Sequence, residues 1–80
     1  MENKAYNEWF RKWLKTYQDE LDKHIHSNYL DIMRYRFGNG ELSGHSIDET
    51  CKKYGLTEEK LNRIETEVFQ KINHIISKGR

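Results

Sequence analysis

Residues 46–57, SIDETCKKYGLT, constrain this chain more than any other stretch. Ser46 followed three residues later by Glu49 is a capping box, in which each side chain satisfies a backbone N–H that the first turn of a helix leaves open. Ile47, Cys51 and Tyr54 then recur at spacings of four and three, which puts them on one inward face and leaves Asp48, Lys52 and Lys53 in solvent. Gly55 ends the helix, because glycine enters the left-handed conformation without steric penalty. Thr57 is the next N-cap, and Glu58 and Glu59 set negative charge beside the positive end of a second helix. Two helices must therefore turn within about three residues of each other.

The second helix carries Leu61, Ile64, Val68, Ile72 and Ile75 at helical periodicity, a stripe that has to cover a core. Its opposite face offers Glu59, Asn62, Arg63, Thr66 and Gln70. A short helix, a glycine turn and a longer helix with an outward polar face describe a helix-turn-helix. Upstream, residues 3–26 read as one long helix with Tyr6, Trp9, Phe10, Trp13, Tyr17, Leu21 and Ile25 at spacings of three and four. This aromatic stripe is either the first helix of the core or, through Trp9 and Trp13, partly a docking surface, since aromatic residues concentrate at interface hot spots. Arg11, Lys12 and Lys15 form a small solvated basic patch on the same segment. Ser27 or Asn28 caps a helix over 29–37, with Tyr29, Ile32, Met33 and Phe37 facing inward and Arg34 and Arg36 pointing elsewhere. Residues 38–45 contain Gly38, Gly40 and Gly44 and read as a connecting loop with Leu42 packing underneath. A P-loop lysine and a preceding strand are both missing, so the loop is not a phosphate cradle. Residues 73–80 extend the last helix toward a stop at Gly79, with Ile75 and Ile76 either core or an exposed contact. The fold class is all-α: one domain over 1–80, four or five helices, and a C-terminal helix-turn-helix.

Eighty residues bury a modest fraction of their surface, so stability is expected to be marginal unless a partner, or a second copy in a homodimer, contributes. Such a chain is suited to binding rather than catalysis, and no catalytic constellation is present. The histidines offer no metal site either: His24 and His26 are two apart, and neither His45 nor His74 has a neighbouring ligand at zinc spacing. No cofactor is expected. A single cysteine, Cys51, fits a reducing cytoplasm and reads as a small core residue. The N-terminal residues are polar where a signal peptide has its apolar segment, and no apolar run reaches membrane-spanning length, which together point to a cytoplasmic protein. The formal net charge is only +1, and residues 46–80 hold seven Lys or Arg against six acidic residues. DNA affinity, which usually draws on a clear basic excess, has to come here from local placement of charge.

Ser46, Ile47, Asp48, Glu49, Tyr54, Gly55, Leu56, Thr57, Glu59, Lys60, Leu61, Ile64, Glu65 and Lys71 match or conservatively replace a longer pattern. Together with the upstream run Ile32-Met33-Arg34-Tyr35-Arg36-Phe37-Gly38, they resemble the C-terminal region four of housekeeping bacterial RNA polymerase sigma factors over roughly residues 28–74. The resemblance implies a small sigma-like transcription factor, bacterial or from a phage, that binds double-stranded promoter DNA in the major groove and contacts the flap of the polymerase β subunit. It implies DNA-binding roles for Thr57, Glu59, Lys60, Asn62, Arg63 and Thr66, and a partner-binding role for the helix bearing Arg34 and Arg36. The chain departs from the family at three reading positions. The family usually has arginine where Glu58 and Asn62 stand and glutamine where Arg63 stands. With these residues, Glu59 can accept from cytosine N4, Asn62 can pair with adenine and Arg63 with guanine. The other reading keeps the fold as a module that binds RNA polymerase or a sigma factor, the acidic start of the second helix repelling DNA.

Overall fold

The computed structural model describes residues 4–38 and 44–78, which form five α-helices and no strand. They are α1 (Lys4–Thr16), α2 (Gln18–His24), α3 (Ser27–Phe37), α4 (Ile47–Tyr54) and α5 (Glu58–Lys78). The all-α fold of four or five helices follows the sequence patterning. The single helix expected over 3–26 is instead two, divided at Tyr17, whose φ of −109° and ψ of 24° leave the helical region. Neither glycine nor proline stands there to break it. The bend has a tertiary setting: the Tyr17 ring stacks on Trp13 at 5.1 Å, and α2 packs on both α3 and α5.

α2 ends at His24, and Ile25 is extended. The α3 cap is then His26, whose Nδ1 accepts from the Asn28 N–H at 3.2 Å. This cap lies one residue before Ser27 and two before Asn28, the caps expected for it, because an imidazole nitrogen can take the open backbone N–H that a hydroxyl or amide oxygen usually takes. Along α3, Leu30, Ile32, Met33 and Phe37 are buried and Tyr29 is half-buried.

Arg36, expected to point away from the core, is buried with 5% of its surface exposed. Its guanidinium donates to the His45 carbonyl at 2.9 Å, and the His45 N–H donates back to the Arg36 carbonyl at 3.0 Å. The His45 ring also lies flat on Tyr35 at 3.8 Å. The preceding residue has to be glycine for this brace to form, since a Cβ at Gly44 would run into the Arg36 carbonyl and the Phe37 backbone. Leu42 and the glycine-rich middle of the connector, 39–43, lie outside the described residues, as does Gly79.

The core is assembled from four of the helices: Phe10 and Leu14 of α1, Leu21 of α2, Leu30, Met33 and Phe37 of α3, and Leu61, Ile64, Val68 and Ile72 of α5. At its centre the Phe10 and Phe37 rings stack at 4.3 Å. Two polar contacts pin α1. Arg11 Nε donates to the Phe37 carbonyl at 2.9 Å, satisfying an open acceptor at the end of α3, so Arg11 is not merely part of a solvated patch. The Tyr6 hydroxyl donates to Glu65 Oε2 on α5 at 3.0 Å. Burial, and then the Glu65 carboxylate beside it, push the Tyr6 phenol pKa well up.

Candidate nucleic-acid interface

The local signals that place α4 against α5 are all present as hydrogen bonds. Ser46 Oγ accepts from the Glu49 N–H at 3.1 Å, and the Ser46 N–H donates to Glu49 Oε1 at 3.0 Å. The Ser46 backbone N–H holds the Glu49 carboxyl below the usual carboxylate range. Gly55 adopts φ 65° and ψ 41°, and the Leu56 N–H reaches back to the Cys51 carbonyl at 2.9 Å. Thr57 Oγ1 then accepts from the Lys60 N–H at 3.1 Å and opens α5. Ile47, Cys51 and Tyr54 are half-buried against the core, as their spacing implies. Thr50 is fully buried, which the apolar periodicity did not reveal, and its hydroxyl donates to the Ser46 carbonyl at 2.8 Å. The Tyr54 hydroxyl donates to the Asp31 carbonyl at 3.4 Å and anchors α4 on α3; burial raises its pKa.

With Leu61, Ile64, Val68 and Ile72 buried on one side of α5, the opposite side stands clear. Thr57, Glu59, Lys60, Asn62, Arg63 and Thr66 are all exposed. Glu59, Asn62, Arg63 and Thr66 share one shallow depression with Glu67, a residue not named from the sequence. Spacing of four would have found it: Glu59, Arg63 and Glu67 form one row along the helix, and Asn62 and Thr66 the next. Three side chains on this face are already engaged. Arg63 pairs with Glu59 at 3.0 Å, and the Thr66 hydroxyl donates to the Asn62 carbonyl at 2.9 Å. The ion pair is 72% and 78% exposed on its two sides, so it contributes only about 0.2–1 kcal/mol and a base or phosphate can compete for Arg63. Thr57 uses its hydroxyl for the cap, so it sets where the helix begins.

The residues considered for partner contact lie away from this depression. Arg34 reaches Asp22 at 3.5 Å and Asp31 at 3.8 Å. Arg36 is withdrawn into the His45 brace. Trp9 is half-buried against Phe69 at 5.1 Å, while Trp13 stacks on Tyr17 with the Lys12 ammonium 4.9 Å from its ring. Among the described residues no group of three or more His, Cys, Asp or Glu is arranged to hold a metal ion, and no helix is long and apolar enough to cross a membrane. No protein-family model and no solved structure matches the chain.

Proposed function

We propose that this chain is a small sigma-like helix-turn-helix transcription factor whose α5 enters the major groove of promoter DNA and whose other helices contact RNA polymerase, at the β-subunit flap in the resemblance to sigma region four. The observation that supports it most is the polar face of α5: Glu59, Asn62, Arg63 and Thr66 stand exposed on one shallow depression directly behind a fully packed apolar stripe. A helix held rigidly on one side, with groups on the other that can pair with cytosine, adenine and guanine, suits base reading. Arg63 is the base-pairing cation of that face. Arg63→Ala is expected to weaken binding to a selected duplex by about 1–3 kcal/mol if it makes a bidentate contact to guanine. Equal affinity of the two proteins for every selected sequence would refute a base-reading role for Arg63.

One observation favours a second reading, a module that binds RNA polymerase or a sigma factor without DNA. Glu59 and Glu67 flank Arg63 at four-residue spacing on the exposed side of α5, Glu58 stands exposed at the helix start, and Arg63 is already paired with Glu59. Capture of RNA polymerase from a DNase-treated bacterial lysate, with no duplex bound at any salt concentration, would replace the first reading with this one.

A further inference from the structure

Three of the chain's four histidines converge in space although the sequence scatters them. His24, His26 and His74 line one open groove of about 790 Å³ between α5 and the junction of α2 with α3. Glu67 lines both this groove and the α5 depression, so the two adjoin at this residue. Two rows at four-residue spacing join them: Asn62, Thr66, Gln70 and His74 in one, Glu59, Arg63, Glu67 and Lys71 in the other. From Asn62 to His74 is roughly 18 Å along the helix axis at about 1.5 Å per residue. That exceeds the roughly 12 Å width of the major groove, so a helix reading bases with its N-terminal half carries its C-terminal part past the flanking phosphates.

The charges around this groove are finely divided. Lys71 lines it, and Lys78 stands in an adjoining hollow that shares His24, Lys71 and His74. The carboxylates facing them are Glu67 on α5 and Glu20 on α2, and Glu20 lies 3.9 Å from His24 and 3.7 Å from Lys23. The remaining lining includes the Tyr17 and Tyr29 rings and the amides of Asn28 and Gln70. Two lysines against two carboxylates leave the lining near charge balance. The Nδ1 of His26 is taken up as the α3 cap, which leaves His24 and His74.

We propose that this groove holds the phosphodiester backbone of the same duplex that α5 reads, with His24 and His74 protonated, so that DNA binding is coupled to proton uptake. The proposal rests on the DNA-reading role of α5. Histidine is the side chain whose ordinary charge change falls between about pH 5 and 8, and each phosphate neutralised steepens the dependence of log affinity on log salt by about 0.9.

The test is fluorescence anisotropy of a labelled selected duplex with the full chain, at about pH 6 and about pH 8 and over a salt series at each. The wild type is expected to bind more tightly at the lower pH, with a salt slope steeper by about 1–2. The double variant His24→Gln/His74→Gln, changed only at exposed positions, is expected to keep the wild-type affinity of the higher pH at both. Lys71→Gln is expected to lower the salt slope by about 1 at either pH while leaving the pH response in place. A wild type with the same affinity and slope at both pH values, or a double variant that keeps the pH response, overturns the groove proposal and leaves base reading by α5 standing. A wild type that binds no duplex at either pH overturns both.

Discussion

Glu58→Arg sets two physical effects of one residue against each other. Glu58 is the first residue of α5, exposed to solvent, beside the open N–H groups of the helix start. A carboxylate there stabilises the helix by about 0.3–1 kcal/mol, and a cation destabilises it by a similar amount, so the reversal costs about 0.6–2 kcal/mol of folding stability. On the proposed DNA-reading role of α5, the same reversal favours binding. A unit charge about 7 Å from a phosphate contributes about 0.6 kcal/mol in water, a swing of two charges about 1.2, and screening at about 0.1 M salt roughly halves that. The variant is therefore expected to bind a duplex about threefold more tightly, with a salt slope steeper by about 1. Urea unfolding followed by circular dichroism gives the first quantity, and duplex anisotropy at two salt concentrations gives the second. Affinity and slope both unchanged would mean that the first turn of α5 does not approach phosphate, and the docking of α5 in the major groove would be refuted. A variant more stable than the wild type would refute the electrostatic account of the helix start.

Ile64 is 2% exposed on the buried stripe of α5, so Ile64→Ala is expected to lose about 2–5 kcal/mol in urea unfolding; a loss under about 0.5 would require a different rotation of the helix. Gly44→Ala forces a methyl group against the α3 backbone and is expected to cost about 1–3 kcal/mol, measured the same way. Tyr6 has its pKa raised by the fold, so its neutral phenol is the form the native state favours. Its contribution is complete below the unfolded pKa near 10 and is lost as pH rises through the folded value. Tyr6→Phe should be less stable at neutral pH and should lack this part of the wild type's loss of stability at alkaline pH, as read from denaturation midpoints across that range.

Features decided within a few residues were legible in the sequence. The Ser46–Glu49 box, the left-handed Gly55 and the Thr57 cap each need only a neighbour three or four positions away. The buried stripe of α5 follows from periodicity alone. What escaped depends on groups distant in the chain. Arg36 reads as surface charge until the His45 carbonyl, nine residues on, gives its guanidinium an acceptor. Tyr17 has no residue-level reason to interrupt a helix, and Leu14 and Leu30 lay between the positions that the aromatic spacing made conspicuous. The histidine groove was hidden for the same reason, since His74 meets His24 and His26 only after α5 has packed beside α2 and α3. On the α5 face, the residue types were visible in advance; the pairing of Arg63 with Glu59, which sets how readily the cation can turn to a ligand, required side-chain geometry.

The bond from Tyr6 to Glu65 joins residues 59 apart in the chain, and Trp9 against Phe69 reinforces it. α1 and α5 are thus neighbours in space and nearly opposite ends in sequence, which makes their docking the step with the largest loop to close. Local pieces such as the α4–α5 turn can form early, but the two helices can protect each other only once that loop has closed. The corollary in the native state is that α1 has no small opening of its own: releasing it uncovers the inner face of α5. Amide exchange in the middle of the two helices should accordingly proceed with a common opening free energy, as one cooperative unit.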